Sequence, residues 1–288
     1  MKNFVEWLVA RRYRMVLAAA AFALLPALGI LGQAVVILAV LIHGLREGIL
    51  VAAIATALMT LPALFAGTNA TAMLLFALVN WVPAVALAAV LERSRSLSLT
   101  AQVATIAVAA VVALFFVFGA PVESWRIVLD EYIAAMAERI GEVPDGLVTE
   151  LSRIMTGTIG AFALLSSMAA VFIGRWWQSI LTRPGAFSSE FRDLRMGLIV
   201  GLVAGVVFVA AALTRVTLLE NLTLVLVSGF LVHGLAVLHS IAAAGTGSFW
   251  LVAVYVLLVV AIPFAELAVA GLGFIDNWFD LRSRVQRR

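Results

Sequence analysis

Long apolar runs alternate with short polar segments along the whole chain. A helix that crosses the hydrocarbon core of a bilayer needs about 20 mainly apolar residues in a row. Runs of this kind cover residues 15–31, 47–66, 70–91, 100–119, 154–174, 196–213, 219–243 and 249–272. The pattern therefore predicts an all-α protein, a polytopic membrane helix bundle.

A shorter apolar segment, residues 32–43, lies between the first two runs. At 1.5 Å per residue it reaches only about 18 Å, which is less than the roughly 30 Å of hydrocarbon. It is a short tilted span, a half-helix or the continuation of a bent first helix. A break would fall at Pro26, Gly29 or Gly32. The prediction is therefore eight or nine membrane segments.

Composition supports a membrane location and removes several classes of function. Hydrophobic residues make up 64% of the 288 and charged residues only 12%, against roughly 25% charged in ordinary soluble domains. The chain has no cysteine and three histidines, so we expect no disulfide, no structural zinc site and no other cofactor. The net charge of +3 is small, with arginines at segment ends, which does not favour nucleic-acid binding.

Basic residues near the N-terminus predict the orientation. Lys2, Arg11, Arg12 and Arg14 precede the first run, and such clusters stay on the cytoplasmic side. No cleavage site ends that run, so we interpret it as a retained membrane helix rather than a signal peptide. The predicted location is the bacterial cytoplasmic (inner) membrane, as a multi-pass protein. No single count of spans puts every other arginine cluster inside, so the side of the C-terminus stays open.

The longest polar stretch, residues 120–153, is an acidic insert within a single predicted membrane domain, 1–288. Trp125, Leu129, Met136 and Ile140 recur at three- and four-residue spacing, with Tyr132 or Ile133 between them. This spacing predicts an amphipathic helix with one apolar stripe. It is either a connector that rests on the bilayer or a lid over an opening there.

Ionisable or amide side chains within apolar runs are costly and often functional. Glu266 follows Pro263 inside the run 249–272, and His233, Asn80 and His43 are further candidates for a ligand or proton site. The alternative for Glu266 is a snorkelling or internally bonded carboxyl. His233 and His239 are six residues apart, about 240° around a helix, so each is interpreted as a separate hydrogen-bonding group between helices.

Small residues recur every fourth position in the first run, at Ala19, Ala23 and Ala27. A smooth face of this kind lets helices approach closely in lipid. It predicts either the docking of a partner subunit or internal packing within the chain.

The densest polar cluster is an arginine- and tryptophan-rich loop at 174–195. Its candidate residues for an anionic group or a lipid headgroup are Arg175, Trp176, Trp177, Arg183, Arg192 and Arg195. The alternative is positive-inside anchoring, with Glu190 and Asp193 balancing the arginines. The chain has no nucleophile elbow, phosphate-binding glycine loop or zinc-protease motif, so we expect no enzymatic activity.

Three segments carry a family resemblance. The segments are LIHGLREGILVAAIATALMTL (41–61), LVHGLAVLHSIAAAG (231–245) and VAGLGFIDNWFDLRSR (269–284), and the RWWQ…RPGAF run between them adds to the pattern. They resemble the YybS-like family of uncharacterised bacterial membrane proteins, which is similar to the S-components of energy-coupling-factor transporters. The resemblance implies an S-component-like core with extra C-terminal helices, a small solute as ligand, and a membrane coupling subunit with ATPases that docks at the alanine face.

Three hypotheses for function follow. The first is a membrane solute-binding or transport subunit of S-component type, without enzymatic activity. The second is a non-transport membrane scaffold or regulatory protein. The third is a proton-coupled secondary carrier built around Glu266.

Overall fold

The computed structural model describes residues 1–25, 28–65, 67, 69–140, 144, 146–246, 249–262 and 264–285. These residues form α-helices, turns and one short π-helical segment, and no strand is found among them. The helices are α1 (Lys2–Val9), α2 (Arg12–Leu24), α3 (Gly29–His43), α4 (Leu45–Phe65), α5 (Ala70–Ser94), α6 (Leu97–Phe118), α7 (Pro121–Ile140), α8 (Leu147–Thr182), α9 (Ala186–Arg192), α10 (Gly197–Thr214), α11 (Thr217–Ile241), α12 (Phe249–Val260), α13 (Phe264–Phe279) and α14 (Leu281–Val285). The prediction of an all-α protein is confirmed.

Six segments are long and apolar enough to cross a membrane by length and composition. They are Leu45–Pro62, Ala70–Ser94, Leu97–Phe118, Leu147–Thr182, Gly197–Thr214 and Thr217–Gly245. The helices α3 and α12 are apolar but shorter. These six helices support the predicted membrane character of the chain.

The chain divides into two compact units, which are described separately. Unit 1 comprises Met1–Ala104 and Ser166–Leu194, and unit 2 comprises Thr105–Leu165 and Arg195–Arg288. Both units are discontinuous in sequence, because the long helix α8 contributes its first half to unit 2 and its second half to unit 1. The single membrane domain over 1–288 stays a prediction.

The core of unit 1 is built around the short helix α3. Every residue from Ala34 to Val40 has 0% of its surface exposed, because α2, α4 and α5 pack around this helix. Gly174 of α8 also approaches it, since a Cβ at position 174 would lie 2.8 Å from Ile37 Cγ2. The segment 32–43 is thus part of a separate buried helix and not the continuation of α2, which ends at Leu24.

Unit 2 is built around α11, against which α10 and α13 pack. The closest approach is at two glycines, because a Cβ at Gly234 would collide with the backbone of Val269 and a Cβ at Gly273 would lie 2.6 Å from the Gly234 nitrogen. The predicted run 249–272 is not one continuous helix. It divides into α12 and α13 at Ala261 and Ile262, and Pro263 lies outside the described residues.

The acidic insert contains the predicted amphipathic helix, α7. Trp125, Leu129 and Ile133 are half-buried whereas Tyr132 is exposed, so the apolar stripe runs through Ile133. The side chains of Met136 and Ile140 lie outside the described part. The Trp125 indole donates a hydrogen bond to Thr156 Oγ1 at 2.9 Å, and α8 already begins at Leu147, inside the predicted insert.

Candidate functional site: a charged pocket and a buried polar cluster

Unit 1 contains a cavity of about 520 Å³ with charged walls. Small-molecule sites typically measure about 300–1,000 Å³. The C-terminal ends of α3, α5 and α8 meet around it, together with α9. The residues that line it are Leu41, Leu91, Glu92, Arg95, Arg175, Gln178, Thr182, Arg183 and Glu190. We call this cavity the charged pocket.

One wall of the charged pocket is held by a chain of hydrogen bonds. Arg175 donates from Nε to Glu190 Oε2 at 2.8 Å and from Nη2 to Glu190 Oε1, so both carboxylate oxygens are used. Its third nitrogen, Nη1, donates to Gln178 Oε1 at 2.6 Å. Gln178 Nε2 then donates to the carbonyl of Leu41 at 2.8 Å, in the last turn of α3. A two-point contact between a guanidinium and a carboxylate fixes orientation as well as distance.

The turn between α8 and α9 places Glu190 opposite Arg175. Gly185 has φ 88 immediately before α9, a left-handed conformation that glycine adopts without steric cost. The helix then packs back on α8, where Phe191 meets Phe172 at a centroid distance of 5.1 Å. The aromatic contact therefore fixes the short helix that carries Glu190.

Three charged groups of the pocket have no ionic partner. Among the described residues, no ion pair involves Arg95, Arg183 or Glu92. Arg95 lies at the C-terminal cap of α5 with φ 52 and donates its backbone N–H to the Leu91 carbonyl at 2.8 Å. Glu92 is half-buried, and both arginines are exposed. These groups are available to a ligand, whereas Arg175 and Glu190 already neutralise each other.

The electrostatics of the charged pocket are mixed in sign. Three arginines and two glutamates line it, which gives a formal charge of +1. The C-terminal ends of α3, α5 and α8 add partial negative charge, about half an elementary charge for each helix. The pocket is therefore close to neutral overall, with separate positive and negative groups.

A second polar feature, the His233 cluster, lies in unit 2 and consists of His233, Asp276 and Arg282. His233 and Asp276 are fully buried and Arg282 is 4% exposed. Asp276 Oδ2 lies 3.1 Å from His233 Nε2, 3.1 Å from Arg282 Nε and 2.9 Å from Arg282 Nη2. Its other oxygen accepts the backbone N–H of Arg282 at 3.3 Å. The cluster thus joins α14 to α11 and α13.

Asp276 lies beyond the six candidate spans. Burial alone would raise the pKa of this carboxyl, but the hydrogen bond from His233 and the positive charge of Arg282 outweigh it and hold the pKa at about 2. Desolvation lowers the pKa of Arg282, against the opposing effect of Asp276. Asp276 is therefore ionised at neutral pH, and its negative charge stabilises the two basic side chains of the cluster.

The imidazole of His233 is only partly satisfied. Its Nε2 faces both the Asp276 carboxylate and, at 3.1 Å, Arg282 Nη2, so it can donate to one or accept from the other but not both. Its buried Nδ1 has no hydrogen-bond partner. Whichever tautomer forms, Nδ1 is an unused donor or acceptor.

No family model, curated protein or solved structure matches the chain.

The charged pocket includes part of the predicted arginine- and tryptophan-rich loop. Arg175 and Arg183 line it, but Arg192 does not, and Arg195 belongs to unit 2, where it donates to Asp280 Oδ1 at 2.6 Å. Most of the predicted loop is helical, because α8 continues to Thr182 and α9 follows. Trp176 is half-exposed, whereas Trp177 is buried against Phe4 and not available as an interfacial anchor.

The predicted docking face of small residues is occupied within the chain. Ala19 and Ala23 are buried, and a Cβ at Gly32 of α3 would lie 3.0 Å from the Ala19 carbonyl and 3.2 Å from the Ala23 nitrogen. The face therefore packs α2 against α3, as the internal-packing interpretation expects. Ala27 lies outside the described residues.

The four predicted ligand or proton residues are divided between the two units. Asn80 accepts from Gln33 Nε2 at 3.0 Å, and His43 Nε2 lies 3.2 Å from the Val9 carbonyl, both in unit 1. Glu266 lies in the first turn of α13 rather than in the middle of a span, and Ser228 contacts it at 3.4 Å. Only His233 joins a dense polar cluster.

Sequence reasoning missed four important residues as site residues. Glu92 and Arg95 stand at the polar end of an apolar run, where charged residues are common and do not by themselves indicate a site. Asp276 and Arg282 appeared only within the segments that carry the family resemblance. The available signal is position, because Glu92 and Arg95 follow the apolar run 70–91 within four residues and Asp276 and Arg282 follow the run 249–272 within ten.

Proposed function

We propose that this chain is a membrane protein that binds a small charged molecule in the charged pocket, as a solute-binding or transport subunit. The proposal is carried by one observation: one arginine of the charged pocket is held in place by neighbouring side chains, whereas two others have no ionic partner. Arg175 is immobilised by Glu190 and Gln178, while Arg95 and Arg183 have no ionic partner within the described residues. Pre-organised walls with unpaired charged groups are typical of sites that recognise polar ligands.

The finer parts of this proposal come from the sequence. They are an S-component-like core with extra C-terminal helices, eight or nine membrane segments, the bacterial inner membrane, and a coupling subunit with ATPases. Because Ala19 and Ala23 are buried, a coupling subunit would have to dock on another surface. Co-purification after native detergent extraction tests for such a partner.

Replacing Arg183 by glutamine is expected to weaken the binding of inorganic phosphate about tenfold. Because Arg183 is exposed, the charged hydrogen-bond donor that the substitution removes is worth about 1.5 kcal/mol, the low end of the usual range, which corresponds to about tenfold. Isothermal titration of the detergent-solubilised full chain with phosphate measures the change. The matched control is Arg93→Gln, which removes an exposed arginine that does not line the pocket.

Equal affinities in Arg183→Gln and Arg93→Gln would contradict the placement of the ligand. Absence of binding of any small charged probe to the unaltered chain would favour the scaffold hypothesis.

A proton-coupled carrier is a second candidate, and the His233 cluster favours it. An imidazole can take up and release a proton near neutral pH, and the unpartnered Nδ1 of His233 is a free position for that proton. Buried ionisable groups within membrane helices commonly mark proton pathways. In this version of the hypothesis the proton site is His233 and not Glu266.

The carrier hypothesis predicts proton flux that depends on His233. In proteoliposomes with a pH-sensitive dye inside, His233→Gln should abolish any flux, because glutamine cannot be protonated at these pH values. Glu266→Gln should retain the flux, since Glu266 lies at a helix start outside the cluster. Equal flux in the His233 variant and the unaltered chain excludes this route.

A further inference from the structure

We propose that the charged pocket recognises a phosphoethanolamine group, that is, a phosphate and a primary ammonium on the same ligand. The inference rests on the proposed function, in which the charged pocket binds a charged molecule. It adds the chemical class of that molecule. The shared chemistry occurs in two sources, a phosphatidylethanolamine headgroup and free phosphoethanolamine.

The positive side of the pocket suits the phosphate. Arg95 at the end of α5 and Arg183 after the end of α8 lie on different elements and both line the cavity. Neither forms an ion pair with a described residue. Guanidinium groups present several N–H donors in a plane, which matches the oxygen geometry of phosphate. Two arginines from two directions can therefore hold one phosphate.

The negative side of the pocket is what distinguishes a zwitterion from a simple anion. Glu92 lines the cavity, is half-buried and has no ionic partner among the described residues. Glu190 is less suited to this role, because Arg175 binds both of its oxygens and already neutralises its charge. A simple anion bound by the arginines would leave Glu92 uncompensated and would be repelled by it. A primary ammonium offers this carboxylate a charge and up to three N–H donors.

The helix ends reinforce the same preference. The C-terminal turns of α3, α5 and α8 face the cavity through Leu41, Leu91 and Thr182, and their carbonyl groups favour positive charge nearby. An ammonium is therefore stabilised at the pocket by both Glu92 and the helix dipoles, whereas a purely anionic ligand gains from the arginines alone.

The position of the pocket suits a headgroup at a membrane surface. It lies at the C-terminal ends of two candidate spans, Ala70–Ser94 and Leu147–Thr182, where a helix leaves the hydrocarbon. Leu41 and Leu91 in its lining provide apolar contact for the part of a lipid next to its headgroup. The volume of about 520 Å³ falls within the range of ligand sites and exceeds what a single inorganic ion needs.

The test compares three soluble probes on the detergent-solubilised full chain. Phosphoethanolamine, phosphocholine and inorganic phosphate share the phosphate, but only the first carries a primary ammonium. The unaltered chain should bind phosphoethanolamine about tenfold more tightly than phosphocholine. Glu92→Gln should abolish this preference and leave phosphate binding unchanged or stronger, whereas Arg95→Gln should weaken all three probes. Arg93→Gln is the matched control, and thermal unfolding checks that each variant folds.

A parallel measurement distinguishes the two sources. Native mass spectrometry of the chain released from nanodiscs counts retained phosphatidylethanolamine against phosphatidylcholine. Selective retention of phosphatidylethanolamine that Glu92→Gln removes supports the inference with the lipid as source. Binding of free phosphoethanolamine without lipid retention supports it with the soluble ligand as source.

The negative outcomes are separable. If phosphate binds but phosphoethanolamine has no advantage, or if Glu92→Gln leaves the advantage intact, the inference is overturned and the proposed function survives. If no soluble probe binds and no lipid is retained, both are overturned.

Discussion

Asp276→Asn is expected to lower the free energy of unfolding by about 3 kcal/mol. The substitution removes the carboxylate of the His233 cluster, which lies 2.9 Å from Arg282 Nη2, and Arg282 is only 4% exposed. Removing one member of a buried ion pair typically lowers the free energy of unfolding by about 3–5 kcal/mol, because the remaining charge stays desolvated. Reversible unfolding in mixed micelles, followed by circular dichroism, measures the difference.

Asp280→Asn provides the matched control four residues further on. Asp280 also pairs with an arginine, Arg195, at 2.6 Å, but the two side chains are 43% and 47% exposed. Exposed ion pairs contribute roughly 0–1 kcal/mol. Asp280 has φ 47, a conformation that asparagine also tolerates. A similar decrease in the free energy of unfolding in both variants would show that the effect of Asp276→Asn does not come from burial of the ion pair.

The pH dependence of the same comparison has a defined sign. The pKa of Asp276 is held at about 2, below its ordinary value of 3.8. A carboxyl whose pKa is lowered by folding stabilises the fold above its ordinary pKa, and this contribution is lost as the pH falls from about 4 towards 2. The unaltered chain should therefore lose stability over this range, and Asp276→Asn should lack that part of the loss.

Gly273→Ala is expected to destabilise unit 2 by about 3 kcal/mol through a backbone collision. A Cβ at this position would lie 2.6 Å from the Gly234 nitrogen and would also meet the Phe230 carbonyl. Because both atoms belong to the backbone of α11, no side-chain rotation relieves the clash, and α11 and α13 must separate. Overpacking of this kind costs about 1–3 kcal/mol and occasionally more. The same unfolding measurement applies.

Gly271→Ala changes a glycine on the same helix without any collision. Nothing lies within 4 Å of a Cβ at position 271, and alanine favours a helix over glycine by roughly 1 kcal/mol. The two substitutions should therefore have opposite signs. Destabilisation by both would indicate a general requirement for glycine in α13 rather than close packing against α11.

Hydropathy predicts the all-α class and the long apolar helices, but not the number of helices, their ends or their neighbours. The apolar run 249–272 predicts one span, yet α12 ends at Val260 and α13 begins at Phe264, because average hydropathy does not register a local break. Small-residue spacing at Ala19 and Ala23 correctly predicts close packing, but periodicity cannot identify which helix packs there. Here the partner is α3 of the same chain.

The sequence predicts only those site residues that are close to each other along the chain. Arg175 and Arg183 stand within one arginine-rich segment, so composition alone suggested a site for charged groups. Glu92 and Arg95 reach the same pocket from more than 75 residues away, through tertiary contacts that no short pattern encodes. His233 was recognisable as a costly polar residue in an apolar run, but its partner Asp276 lies 43 residues later.

The discontinuity of unit 1 has a consequence for how the chain is made. The buried helix α3 is covered on one side by Gly174 of α8, and Ser166–Leu194 emerges from the ribosome only after all of Thr105–Leu165 has been translated. At about 5–20 residues per second, this interval lasts several seconds. During that time the Ile37 side of α3 has no permanent neighbour, so lipid or the insertion machinery must shelter it. Unit 1 is therefore completed only after the first segment of unit 2 has been synthesised.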